Sequence, residues 1–283
     1  MKLLSVIILT KDEAINLKTC LKSLQSLDAE IYIVDSGSTD ATLEIAAEAG
    51  CKIYTNAWVN HAHQLNWAIA NLPITTLWTM RVDADEHLTP ELVQEILQVL
   101  PTTSKAVTAY QMKRRVYFMG KWIRHGGRYP SWLLRIWRTG MGHCEQRWMD
   151  EHIIISDGKI ADLKHDIIDE NQKGLTFWVD KHNRYADREI SDLLADDPTL
   201  DSQLLDAEYS TQASQVRWAK KNFYNRSPLF IRAVVYFLFR YFIRLGFLDG
   251  WEGLSFHVLQ GFWYRFLVDA KLYELRLKDK RLP

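Results

Sequence analysis

The sequence predicts an α/β fold built on a mostly parallel sheet. Three observations predict it. Strand-like and helix-like segments alternate over the first hundred residues. The opening segment is apolar on both faces, as a parallel strand is. Acidic residues (Asp35, Asp83, Asp85) recur where strands end, the place such sheets bind ligands.

Residues 3–10 are β-branched and apolar and predict a first strand buried on both faces. A signal peptide is the competing reading. The run ends in Lys11-Asp12-Glu13 without a small-residue cleavage site, which favours the strand. From residue 13 to 27, apolar side chains at 14, 17, 20, 21, 24 and 27 follow a helical period. Residues 31–35 predict a second strand. Ser36-Gly37-Ser38-Thr39 is turn chemistry, and Ser38 or Thr39 suits the cap of a helix running to Ala49. Gly50 stands where a helix C-terminal glycine belongs. A third strand follows at 51–55, a helix at about 62–71 and a strand at 74–82. Thr89-Pro90-Glu91 is a helix start, with a capping Thr, Pro at the first position and an early acid. Short strand-like runs with Gly and Pro breaks over 105–160 predict mixed strands that extend the sheet. Residues 174–195 read as a helix, and the Asp-rich 192–204 as a loop or linker. The expected division is a catalytic domain over 1–170 and a helical extension over 171–283.

That extension differs in character. Pro228 to Leu248 is apolar and aromatic, broken by Arg232, Arg240 and Arg244, which share one arc of a helix. Three arginines in mid-helix argue against a membrane span. An in-plane helix at a lipid interface and a helix buried against the catalytic domain both remain open. Residues 264–281 predict a second, basic-tailed helix.

Composition narrows the function. Lys+Arg and Asp+Glu both number 35, so no basic excess points to nucleic acid. The three cysteines, Cys20, Cys51 and Cys144, lack paired spacing and predict reduced thiols in a reducing compartment such as the cytoplasm. His61 and His63 have no matching ligands nearby for zinc. In Arg81-Val82-Asp83-Ala84-Asp85-Glu86, two carboxylates two residues apart follow a strand. Such a pair can share a divalent cation with a nucleotide diphosphate. In Ile33-Val34-Asp35-Ser36-Gly37-Ser38-Thr39-Asp40, an acid and a small turn let a flat base approach the backbone.

Taken with Ser5-Val6-Ile7-Ile8-Leu9-Thr10-Lys11-Asp12-Glu13, these segments resemble family 2 glycosyltransferases of the GT-A fold. The order and spacing of all three match over about residues 1–160. Within the family, the chain looks most like lipopolysaccharide-core β-glucosyltransferase-like and exopolysaccharide enzymes. The shared segments are Val34 to Asp40, Lys181-His182-Asn183-Arg184-Tyr185-Ala186 and Gly246 to Gly250.

The resemblance implies an inverting, metal-dependent transfer of a sugar from a nucleoside-diphosphate sugar to a glycan or lipid-linked acceptor, with Mn or Mg as cofactor. It implies that Leu9, Lys11, Glu13, Asp35, Ser36 and Asn66 line the nucleotide-sugar. Asp83 then meets ribose or metal, Asp85 holds the metal, and His165 is an added ligand. The base that takes the acceptor proton falls in Trp148-Met149-Asp150-Glu151-His152, at Glu151 with Asp150 its neighbour. Arg128, Arg135 and Arg138 suit a diphosphate or an anionic acceptor, or else surface ion pairs. Trp122, Trp132 or Trp148 suits a stacking floor for a sugar. Asp12 replaces the family's usual Asn, and Leu65 stands where an Arg commonly helps hold the donor. Lys11 or Arg81 is the expected substitute for that charge. Two rivals are weighed against this reading. A nucleotidyltransferase needs a Gly-rich loop after the first strand, and this loop has no glycine. A degenerate transferase that binds sugar or scaffolds has only Leu65 in its favour.

Overall fold

The computed structural model describes residues 2–145, 151–195 and 212–279. These divide into two compact units. Among the described residues, the first holds 2–115, 131–145 and 151–172, and the second holds 116–130, 173–195 and 212–279.

The first unit is the α/β part. Strands β1 (Leu4–Thr10), β2 (Ala29–Asp35), β3 (Lys52–Thr55) and β4 (Trp78–Asp83) are parallel. Helices α1 (Ala14–Leu24), α2 (Thr42–Glu48) and α3 (His61–Asn71) lie between them in sequence. Every residue of β1 is buried, as its unbroken apolar run requires. β5 (Glu86–Leu88) follows, then α4 (Pro90–Val99), whose first turn is capped by Thr89 through Leu92 N–H (3.2 Å). The predicted mixed strands are β6 (Val107–Phe118), β8 (Trp132–Arg138) and β11 (Lys159–Asp169). The sheet order is β3-β2-β1-β4-β8-β6-β11-β5, and β7 (Lys121–Trp122) pairs with the end of β6 in the second unit. β9 (Gly142–Cys144) and β10 (Ile153–Ile155) form a separate antiparallel pair. The core packs Val6, Ile8, Ile33, Met80 and Val82 of the sheet against Leu17, Leu21 and Leu24 of α1 and Leu92 and Ile96 of α4. Gly50 ends the second helix at φ +73°, a left-handed position that glycine holds without strain.

One local expectation is corrected. Neither Ser38 nor Thr39 caps α2. Ser38 Oγ instead bonds within the loop to Asp35 and accepts from Asp12 N–H, while Asp40 accepts from Thr42 N–H (3.0 Å).

The second unit is helical: α5 (Gly174–Ala195), α6 (Gln212–Ala219), α7 (Ile231–Leu238), α8 (Gly250–Phe256) and α9 (Tyr264–Asp279). α6, α7 and α8 each continue into a wider, π-type stretch, at Lys220–Tyr224, Phe239–Ile243 and His257–Trp263. Ala186 and Ile190 of α5 pack on Tyr264, Val268 and Leu272 of α9. Among the described residues, no helix is long and apolar enough to cross a membrane.

Candidate active site

Register brings the strand ends together. Thr10 lies opposite Asp35, and Leu9 lies opposite both Val34 and Asp83. The carboxyl ends of β1, β2 and β4 are therefore neighbours, and the loops after them share one edge of the sheet.

The loops after β1 and β2 are laced by short hydrogen bonds. Asp12 takes φ +52°, where Asn and Asp are the favoured non-glycine residues. Its carboxylate accepts from Thr39 N–H at 2.7 Å. Those bonds, partly offset by burial, hold Asp12 below the ordinary Asp pKa. Asp for Asn at this position thus preserves the turn. Glu13 N–H donates to Thr42 Oγ1 (2.8 Å), and Glu13 accepts from Asn16 Nδ2 (2.7 Å). Lys11 Nζ reaches Gly37 O. Asp35 is buried, and both its oxygens are engaged in the loop by Thr10 Oγ1 (2.9 Å), Gly37 and Ser38 N–H (2.7 Å each) and Ser38 Oγ. A carboxylate with four donors has its lone pairs filled. Asp35 therefore shapes the turn. Ser36 Oγ accepts from the buried Gln64 (3.0 Å).

The acidic loop after β4 anchors a five-membered ion network. Arg81 Nε donates to Asp83 Oδ1 at 2.9 Å, and Arg81 Nη2 lies 3.4 Å from Glu151 Oε1. Arg135, from β8, bridges Asp83 Oδ2 (2.9 Å) and Glu86 Oε1. Glu86 Oε2 accepts from Asp83 N–H at 3.0 Å and closes the turn. Both guanidiniums and Glu86 are buried, while Asp83 is 31% and Glu151 13% exposed, so the network opens to solvent at those two acids. Burial raises the Asp83 carboxyl, but Arg135 and Arg81 outweigh it and hold the pKa well below the ordinary Asp range. Glu86 is the opposite case. Burial lifts it to about 7 against the pull of Arg135, with Asp83 adding to the rise. Asp85 follows in the same loop. Its Oδ2 accepts from Asn171 Nδ2 (2.9 Å), and its carbonyl accepts from Glu170 N–H (2.9 Å).

Glu151 is positioned by the β9–β10 pair. Its flanks are tied by Glu145 N–H to His152 O (3.0 Å), and by His152 N–H to Glu145 Oε1 (2.8 Å). Asn66 of α3 clamps β9 from the side, donating to Cys144 O (2.7 Å) and accepting from Cys144 N–H (2.8 Å). The resemblance implied that Asn66 lines the donor. The structure gives it a backbone clamp that holds the strand leading to Glu151. Asp150 and Trp148 lie outside the described residues.

Other expected residues fall elsewhere. His165 pairs with Glu95 of α4 at 2.8 Å. It lies five residues before Glu170, the strand partner of Asp85, or about 16 Å along an extended strand. That distance excludes a shared metal with Asp85. Arg138 is structural, its Nε donating to Val107 O (3.0 Å) and its guanidinium covering Trp78. Arg128 and Trp122 belong to the second unit, where Arg128 lies over the Phe256 ring and Trp122 meets Tyr129 edge-on. Trp132 is in the first unit, under the Lys113 ammonium. Leu65 is fully buried on α3. In this protein the position is therefore an apolar, buried one and offers no charge to a donor. Burial raises all three thiols, Cys20 well above its ordinary value, Cys51 to about 11 and Cys144 to about 12, which leaves them unreactive near neutral pH. The residues that sequence reasoning missed are Glu86, Glu145, Gln64 and Asn171. Glu86 follows Asp85 and Gln64 precedes Leu65 in sequence, whereas Glu145 and Asn171 carry no such signal.

An α/β sheet with acidic loops meeting at its carboxyl edge is an arrangement in which such folds bind ligands. The sequence pattern of glycosyl transferase family 2 matches residues 5–151, just over half of the chain. The protein belongs to this family. It is 26% identical to an uncharacterised glycosyltransferase of Rickettsia typhi, over all of this chain and 90% of that one. It is 28% identical to the lipopolysaccharide core biosynthesis glycosyltransferase LpsC of Rhizobium meliloti, over 96% of this chain and 92% of that one. Among solved structures, the glucosyl-3-phosphoglycerate synthase of Mycobacterium tuberculosis in complex with Mn²⁺, UDP and glucosyl-3-phosphoglycerate is 19% identical, with a TM-score of 0.33 over 41% of this chain and 44% of that one.

Proposed function

We propose that this protein transfers a sugar from a nucleoside-diphosphate sugar to a hydroxyl of a glycan or lipid-linked acceptor, with inversion at the anomeric carbon. The observation that carries the proposal is the joining of Glu151, Arg81, Asp83 and Arg135 at the strand ends of a family 2 glycosyltransferase. Arg81 orients Asp83 and Glu151 together. Glu151 takes the acceptor proton as the acceptor oxygen attacks the anomeric carbon and the bond to the diphosphate oxygen breaks. Asp83, already compensated by two guanidiniums, suits a neutral ribose hydroxyl better than a cation. Leu9, Lys11, Glu13 and Ser36 frame the nucleotide with the loop that Asp35 fixes.

A divalent cation fits at Asp85. Among the described residues no three Asp, Glu, His or Cys groups converge as a cage, so a cation there takes most of its ligands from the donor. One or two carboxylates plus phosphate oxygens is the set that Mg²⁺ or Mn²⁺ accepts. When bound, the ion offsets the charge of the departing diphosphate. Asp85 is its carboxylate, oriented by Asn171.

LpsC is named for lipopolysaccharide core biosynthesis. We extend to this chain a role in lipopolysaccharide or related cell-surface polysaccharide assembly, at the cytoplasmic surface of a membrane. Support comes from the second unit, where Ile231, Val235, Phe239, Phe242, Ile243, Leu248 and Trp251 are exposed, Ile243 by 70% and Trp251 by 81%. A patch of that extent marks an interaction surface.

The test is thermal stabilisation by a panel of nucleoside diphosphates, with and without Mn²⁺. The expected result is one diphosphate that stabilises only with metal, an effect lost in Asp85→Ala. Folded protein stabilised by none of them would replace this reading with a sugar-binding or scaffolding role.

A further inference from the structure

The second unit holds a polar cluster that the proposed transfer chemistry does not use. Arg232, Tyr236 and Arg240 recur every four residues along α7 and its π-type continuation, so they share one face. Arg232 and Arg240 are buried, while Ile231, Val234, Val235, Leu238 and Phe239 on the same helix are exposed. This inverts the ordinary surface helix, which turns its apolar stripe inward.

Arg232 is neutralised by Asp269. Among the described residues no carboxylate pairs with Arg240. Its Nε donates to Gly126 O (2.8 Å) and its Nη1 to Gln260, while the buried Nη2 has no hydrogen-bond partner. Its guanidinium lies 5.5 Å from the centre of the Tyr236 ring and 5.9 Å from that of Phe256. Arg265 shares the Tyr236 ring at 5.7 Å, and Arg128 shares the Phe256 ring at 5.3 Å. The carboxylate of Glu189 serves Arg265 and Lys220 together.

His257 adjoins Arg240. It is fully buried, and neither ring nitrogen has a partner. Gly126 and Gly246 make room for it. A Cβ on Gly126 would stand 2.0 Å from the imidazole, and one on Gly246 would stand 2.7 Å from it and 3.0 Å from Arg240 O. Both Arg240 and His257 occur in π-type stretches, a local distortion that recurs at functional sites. The field here is positive. Burial raises the Tyr236 hydroxyl, but Arg240, Arg265 and Arg128 outweigh it and hold its pKa below the ordinary value.

Arg240 Nη2 and both His257 ring nitrogens are buried without hydrogen-bond partners, which is costly, and a phosphate oxyanion accepts from both kinds of donor. We infer that Arg240 and His257, with Arg265 and Arg128 beside them, bind a phosphate group carried on a lipid. The phosphate part stands on the cluster itself, and the lipid part rests on the proposed membrane contact of the exposed apolar face.

The experiment is vesicle flotation of the full chain. One set of vesicles is phosphatidylcholine alone, one adds phosphatidic acid, and one adds phosphatidylserine at matched surface charge. Inorganic phosphate alone is tested in parallel by thermal shift. Wild-type protein is expected to bind phosphatidic acid vesicles roughly tenfold better than phosphatidylserine vesicles, the difference that one specific charge-assisted contact set supplies. Arg240→Gln and His257→Asn are expected to reduce the phosphatidic acid value to the phosphatidylserine value and leave phosphatidylcholine binding unchanged. Arg240→Lys, which keeps the charge but not the fork, is expected to fall between. Far-UV circular dichroism checks that each variant is folded. Equal binding of the two anionic lipids by wild type overturns the inference. Strong stabilisation by inorganic phosphate without any vesicle preference overturns its lipid part. Failure of folded protein to bind any vesicle overturns the membrane reading, and no phosphate shift in that same protein overturns the cluster as a site.

Discussion

At the scale of single residues, the candidate site separates groups proposed to touch substrate from groups that hold them in place. Glu151→Gln keeps the shape and loses the base. The expected outcome is a fall in kcat of about 10²–10⁴-fold, the usual worth of a positioned base, with little change in Tm. A kcat that survives the substitution would move the base elsewhere. Asn66→Ala behaves differently. It leaves both polar groups of the Cys144 peptide without their partner, so about 1–3 kcal/mol of stability is expected to go, with a lower kcat because the strand before Glu151 loosens. Urea unfolding and steady-state kinetics on the same sample check both effects. These two residues also mark what the sequence can disclose. Glu151 and Asp85 are candidates on the sequence alone because short motifs carry them. The clamp is not, because Asn66 reaches a peptide 78 residues away whose position depends on where β9 lies. His165 misled for the related reason that a strand residue can match a motif while lying several residues from the end that binds.

At the scale of elements, the parallel half of the sheet could be read directly. Its strands are continuous apolar runs, each followed by a helix with its own start and stop signals. The antiparallel half could be recognised as strands but not ordered, since β8, β6 and β11 are placed by pairings between distant segments. The aromatic helix was open between two readings because periodicity shows that arginines share a face but not which way it turns. Asp269 decides the matter for Arg232 by meeting it inside the unit. Asp269→Ala should leave a buried guanidinium uncompensated and cost about 3–5 kcal/mol. Asp269→Ala combined with Arg232→Leu should recover much of that loss, and denaturant melts of the single and double variants test this. Leu65→Arg offers a contrast on α3. The fully buried position predicts a folding defect of several kcal/mol, on the order of a buried unpaired charge, and no gain in donor binding. Tighter donor binding in a protein of unchanged Tm would show that the helix can turn this position outward.

At the scale of the whole molecule, the two units are expected to answer pH in opposite senses. Burial holds His257 down to about 4, with Arg240 adding to the effect, and burial likewise holds His182 down to about 4. Both lie in the second unit. A histidine whose folded pKa is depressed binds its proton more readily when unfolded. Its contribution is complete above the unfolded value of about 6.5 and is lost as pH falls toward 4, up to about 3 kcal/mol per group. Glu86, in the first unit, is raised to about 7. Its stabilisation is complete below the unfolded value of about 4.5 and is lost as pH rises through 7, so acidification favours that unit. Lowering the pH from 7 to 5 without metal should therefore loosen the helical unit while the sheet holds. Hydrogen exchange followed by mass spectrometry reads this directly as protection factors. Peptides from residues 231–279 should lose protection at pH 5, and those from 4–10 and 78–88 should keep or gain it. His257→Phe should flatten the response of the helical unit and leave that of the sheet unchanged. A uniform loss of protection across both units would mean that they unfold as one body and that neither buried histidine sets the acid limit.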